Sequence, residues 1–155
     1  LGQSAVIQGL VIRGATTLVE MAGGGTVRGC YLGTTASGLG AGGGGQVTAI
    51  RVDSSVDVRT FTIGGPSAAD RNVIAGPGTD GSVGIDILGT PRLTVEGNLI
   101  GVARDALTVL GHGRAGVRYQ AVSSLAATDI EVGPLNVIGG ASGPGGAGVR
   151  VAACT

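Results

Sequence analysis

The side chains that could do chemistry are few. There is one imidazole, His112, between Gly111 and Gly113, and there are two thiols, Cys30 and Cys154. Ten acidic residues balance ten arginines, with no lysine. A thiol nucleophile needs a base beside it, and neither cysteine has a histidine near it in sequence. Most glycoside hydrolysis needs two carboxylates at a fixed separation. Here Asp53, Asp57, Asp70, Asp105 and Asp129 are spread through different segments. Residues 76–80 hold one Gly-x-Gly-x-Asp half-turn ending at Asp80, of the sort that binds calcium in tandem repeats. Calcium wants about six to eight oxygens, and no second copy follows. His112 and Asp80 are therefore weak candidates; no catalytic or metal-ligating set is expected, and no cofactor.

The elements that must position these groups follow from composition. The chain has 155 residues, 33 of them glycine, without the every-third spacing of collagen. Each interior glycine costs a helix about 1 kcal/mol relative to alanine, so short strands joined by turns are expected. Isoleucine, leucine and valine supply the material for a core, and the formal charge is zero. That balance gives no electrostatic footprint for nucleic acid or an anionic membrane. Three aromatics, Tyr31, Phe61 and Tyr119, are too few for a stacking platform. No apolar run approaches the roughly 18 residues of a membrane-spanning helix, so no membrane insertion is expected.

One small pattern returns along the chain. An apolar-charged-apolar triplet occurs at Val19-Glu20-Met21, Ile50-Arg51-Val52, Ile85-Asp86-Ile87, Val117-Arg118-Tyr119 and Val149-Arg150-Val151, at steps of 31, 35, 32 and 32 residues. A second element follows at Val27, Ile63, Val95 and Val132. A third opens at Cys30, Asn72, Asn98 and Asn136 and continues with two apolar residues. The first fifteen residues look like the end of an earlier unit. Glycine-rich stretches at 40–45, 76–84 and 139–148 read as loops. Residues 102–110 are the one modest helical candidate and read as a loop insertion.

Three short strands cannot bury their apolar faces within one unit. If the chain winds as a coil, equivalent strands lie about 4.8 Å apart in parallel sheets and their inward residues share one core. In that arrangement Ile50, Ile85, Val117 and Val149 lie over one another. The charged residues Glu20, Arg51, Asp86, Arg118 and Arg150 form an exposed outward column, either paired from rung to rung or serving as a catalytic face. Asn72, Asn98 and Asn136 form a stacked amide ladder, with Cys30 as an apolar substitute at its first rung. Thr26, Thr62 and Thr94, followed by Glu131, form another outward column, explained by β-propensity. Cys30 and Cys154 lie about four rungs, or roughly 19 Å, apart, beyond disulfide reach, so two free thiols are expected within one molecule. Cys154 could still pair outside the segment.

The run Val95-Glu96-Gly97-Asn98-Leu99-Ile100-Gly101, followed by Gly116-Val117-Arg118-Tyr119, resembles the repeats of right-handed parallel β-helices of the pectate-lyase-like superfamily, in particular bacterial secreted or surface proteins. The resemblance implies an all-β fold: a right-handed parallel β-helix of about five coils, three short strands per coil and 31–35 residues per coil. Residues 1–155 would be a single domain and a segment of a larger protein. Such families often carry an internal asparagine ladder, and they include polysaccharide lyases, hydrolases, adhesins and structural surface proteins. Gly111-His112-Gly113 and Thr79-Asp80-Gly81 are similar to parts of polygalacturonase-like motifs, but the neighbouring aspartate pair and the Arg-x-Lys site of those enzymes are missing. His112 is then expected to be a solvated residue of an exposed loop.

The expected function is a non-enzymatic structural, display or adhesive module of a secreted or cell-surface protein. The rivals are a divergent polysaccharide lyase or glycoside hydrolase, and a solenoid that assembles end to end. Expected partners are polysaccharide, neighbouring coils of a longer chain, or another copy.

Overall fold

The computed structural model describes residues 5–45, 47–55, 58–76, 81–89, 91–121 and 129–152. Fifteen strands follow in order: β1 (Ala5–Gln8), β2 (Val11–Ile12), β3 (Thr17–Met21), β4 (Gly25–Arg28), β5 (Tyr31–Leu32), β6 (Thr48–Ser54), β7 (Thr60–Gly64), β8 (Val73–Ile74), β9 (Val83–Gly89), β10 (Arg92–Glu96), β11 (Leu99–Ile100), β12 (Ala115–Gln120), β13 (Ile130–Val132), β14 (Val137–Ile138) and β15 (Ala147–Ala152). Every third strand pairs with the one a coil away, always parallel. This gives three five-stranded sheets: β1-β4-β7-β10-β13 (sheet A), β2-β5-β8-β11-β14 (sheet B) and β3-β6-β9-β12-β15 (sheet C). The chain is a right-handed parallel β-helix of five coils.

Register follows the triplets. Val19 pairs with Ile50, Ile50 with Ile85, Ile85 with Val117 and Val117 with Val149, so these residues form one column facing the bore. In sheet A, Ile7, Val27, Ile63, Val95 and Val132 form a second column. Sheet B adds Ile12, Leu32, Ile74, Ile100 and Ile138. Most members of these columns are fully buried, with Phe61 beside them. A one-residue slip would turn each column to solvent, which ties the register to the apolar pattern.

Two features depart from simple alternation. Sheet B is apolar on both faces: Val73 and Leu99 point away from the bore and are buried with Val102 and the partly buried Tyr31 in a second cluster. Val102 comes from the segment expected to be an insertion. It is a loop, closed by an antiparallel bridge between Val102 and Val109 and by Asp105, whose carboxylate accepts the amides of Leu107 and Thr108 and the Thr108 hydroxyl. The Arg104 amide donates to the Gly38 carbonyl at 2.8 Å, tying this loop to the one that follows β5. The second departure is β9, buried over nearly its whole length, and its strand begins at Val83 within the stretch expected to be loop.

The ends differ from the middle. Val6, Leu10 and Val11 are exposed at the first coil, and Leu135, Val137, Val149 and Val151 at the last. Between sheets A and C the last coils open into a hollow of about 370 Å³ lined by Tyr119, Ile130, Val132, Val149 and Val151 among others.

Candidate functional site

The charged residues of the triplets share one column, as their pairing requires: Glu20 beside Arg51, Arg51 beside Asp86, Asp86 beside Arg118, Arg118 beside Arg150. The column is not uniformly exposed. Asp86 is only 4% accessible, because the Arg118 guanidinium lies over it in a bidentate pair, Nε to Oδ1 at 2.8 Å and Nη2 to Oδ2 at 2.7 Å. Gln120 Nε2 donates to the same Oδ1 at 3.1 Å. The expectation of an exposed column is therefore corrected at its centre: long side chains from the next coil cover the carboxylate. The two ends, Glu20 and Arg150, are exposed.

Arg51 reaches sideways instead, with Nη2 3.9 Å from Asp53 Oδ2. Asp53 accepts the Ser55 hydroxyl at 2.7 Å and the Ser55 amide at 3.1 Å. These bonds, with a smaller pull from Arg51, hold its carboxyl below the ordinary range. Asp105 is likewise lowered by the Thr108 and Leu107 groups of its own turn. Both carboxylates are occupied by their local turns. Asp70 accepts the Ser67 hydroxyl and faces Arg28 at 3.4 Å. Among the described residues no group of three or more His, Cys, Asp or Glu converges as a metal site would require.

The amides of Asn72, Asn98 and Asn136 sit at the corner between sheets A and B. Each Nδ2 donates to a sheet A carbonyl of the preceding coil: Asn72 to Val27, Asn98 to Ile63 and Asn136 to Val95. Each Oδ1 accepts from the coil before it: Asn72 from the Cys30 amide, Asn98 from Asn72 Nδ2, Asn136 from the Asn98 amide, all at 2.9 Å. Asn72 and Asn98 are wholly buried. Cys30 is not simply an apolar substitute. Its thiol lies 3.8 Å from the Ile7 carbonyl, the member of the same column one coil back, and 3.2 Å from that of Arg28. A sulfhydryl is a weak donor, and here it takes the place of the amide NH₂. Cys30 is buried and free. Cys154, Asp80, Thr79 and Asp57 lie outside the described residues.

His112 is not in an exposed loop. It is completely buried, in the turn between β11 and β12, where its amide donates to the Gly140 carbonyl at 2.7 Å and its backbone bridges Ala141 of the next coil. The ring fits because two glycines of the previous coil make room. A Cβ on Gly76 would lie 2.5 Å from Nδ1, and one on Gly84 2.9 Å from Nε2. Neither ring nitrogen has a partner at hydrogen-bonding geometry among the described residues. Desolvation drives the imidazole pKa down to about 4, against a smaller opposing influence from the Ile74 backbone, so the ring is neutral at pH 7. In this position it packs as a core side chain and does not face solvent.

Three of these features escaped the sequence reading. Gln120 completes the shell around Asp86, but nothing in its type marks it. The glycine cradle of His112 depends on residues about 30 positions away. The second face of sheet B did leave a signal, since two consecutive apolar residues in a two-residue strand require cover on both sides. Comparisons with protein-family models, with curated proteins and with solved structures gave no match to this chain.

Proposed function

We propose that this chain is a non-enzymatic structural or display module, a rigid section of β-helix that spaces or presents surfaces. One observation carries the reading: the two groups most suggestive of acid–base chemistry, the central carboxylate of the charged column and the one imidazole, are withdrawn into contacts between coils. Asp86 is clamped by Arg118 and Gln120, and the His112 ring is enclosed in the core. A general acid or base must reach the proton it transfers, and neither group faces solvent freely. The repeat's resemblance to the pectate-lyase-like superfamily supports a bacterial secreted or cell-surface setting, with polysaccharide as a surface partner. Incubation with acidic and neutral polysaccharides tests the reading, scored for reducing ends and for the ultraviolet absorbance of unsaturated sugars. No release is expected; release that is lost on substituting Asp86 or Arg118 would install a lyase or hydrolase in its place.

A further inference from the structure

His112 is buried without being satisfied. Its ring is completely enclosed, and neither nitrogen has a hydrogen-bond partner among the described residues. A buried polar group left unpaired is costly, and a charged one far more so. The described residues around it supply no opposite charge. Gly76 after β8, Gly84 in β9 and Gly101 after β11 come up against the ring with no side chain. Gly139, Gly140 and Ala141 of the next coil are uncharged. Arg114, the next charged residue along the chain, is exposed, and only burial and the Ile74 backbone act on the ring's protonation.

The backbone on either side of this ring ties coils together. The Gly111 carbonyl accepts the Gly76 amide of the coil before at 2.9 Å, and the Gly113 amide donates to the Ser82 hydroxyl of that coil at 2.7 Å. Toward the coil after, the His112 amide donates to the Gly140 carbonyl at 2.7 Å. The Ser142 and Gly143 amides donate back to the carbonyls of His112 and Gly113 at 3.1 and 2.7 Å. An enclosed ring reaches water only if this backbone turns. Gly111, already at φ +78°, and Gly113 flank it, and glycine rotates with little steric cost.

We infer that residues 111–113 form an acid-sensitive latch: protonation of His112 expels its ring and releases this turn from the coils on both sides, while the three sheets stay paired. The opened turn takes up a proton that the closed turn refuses. Closure is therefore complete above about pH 6.5 and weakens as pH falls toward 4. Such an opening is sub-global, reached at a lower free energy than unfolding of the whole β-helix.

Amide hydrogen exchange on the 155-residue chain at pH 7 and pH 5, repeated in urea from 0 to about 1 M, tests it. After correction for the intrinsic pH dependence of exchange, the amides of Gly76, His112, Gly113, Ser142 and Gly143 should lose protection about twentyfold between pH 7 and pH 5. Their exchange should hardly respond to urea, because a local opening exposes little surface, whereas the amides of β7 and β10 should show the steep urea dependence of full unfolding. In His112→Leu the loss of protection at pH 5 should vanish from the turn. The latch is overturned if the turn exchanges with the same free energy and urea dependence as β7 and β10, if its protection is the same at both pH values, or if His112→Leu keeps the loss. The first two readings come from the parent chain and decide the matter whether or not the variant folds. None of these outcomes bears on polysaccharide cleavage, which decides the proposed function separately.

Discussion

Arg118 and Asp86 are 32 positions apart in sequence and face each other across one rung, joined by two hydrogen bonds of 2.8 and 2.7 Å. Their side chains are 17% and 6% accessible, so the pair is largely withdrawn from water. Removing one member of such a pair leaves the other charge without compensation. Arg118→Met should lower unfolding free energy by on the order of 3 kcal/mol, and Arg118→Met with Asp86→Leu should recover most of it. Urea titrations of the three chains would check both.

Asn98 should be the most demanding rung of the ladder. Its amide donates to Ile63 and Glu96 and its oxygen accepts from Asn72, all in the interior. Asn98→Ala would orphan several buried groups at about 1 to 3 kcal/mol each in the worst case, and a total loss of about 3 kcal/mol is expected. Cys30→Ala removes only a weak donor, and a loss of about 1 kcal/mol is expected from equilibrium denaturation.

His112 makes stability depend on pH in a defined window. Its pKa is near 4 in the fold and 6.5 when free, so between these values the unfolded chain takes up a proton that the folded chain refuses. Stability from this residue is full above about pH 6.5 and is lost as pH falls toward 4. The total is up to about 3 kcal/mol, from 1.36 kcal/mol per unit. Denaturation curves from pH 4 to 8 should show that slope in the parent and a flatter one in His112→Leu.

Gly84→Ala should act on the same ring from the other side. The added carbon would meet the Gly116 carbonyl oxygen at 2.5 Å and His112 Nε2 at 2.9 Å, and backbone cannot yield as a side-chain tip can. A loss of about 1 to 3 kcal/mol is expected, the range for overpacking. The melting temperature of Gly84→Ala, with Gly81→Ala as a partner in open space but at positive φ, would separate crowding from backbone strain.

The triplets were legible because register repeats: a side chain that must face the bore recurs at every coil, and Ile50, Ile85 and Val117 are found stacked. What could not be read was who covers whom. Asp86 looked exposed because its cover, the arms of Arg118 and Gln120, comes from the next coil and from rotamers that no spacing encodes. His112 looked solvated because glycines beside it in sequence suggest a loop, whereas the glycines that decide its burial, Gly76 and Gly84, belong to the coil before. Cys30 was read by polarity alone, and its role depends on the Ile7 and Arg28 carbonyls lying within reach of sulfur.

Because each strand bonds to the strand one coil away, the sequence separation of the sheet contacts is set by coil length rather than by chain length. Duplicating or deleting a block of about 32 residues would therefore leave the surviving neighbours with partners of the same kind. Such a tube can change its span in evolution by whole turns without redesign of its interior, because each added turn brings contacts of the same sequence separation as the last.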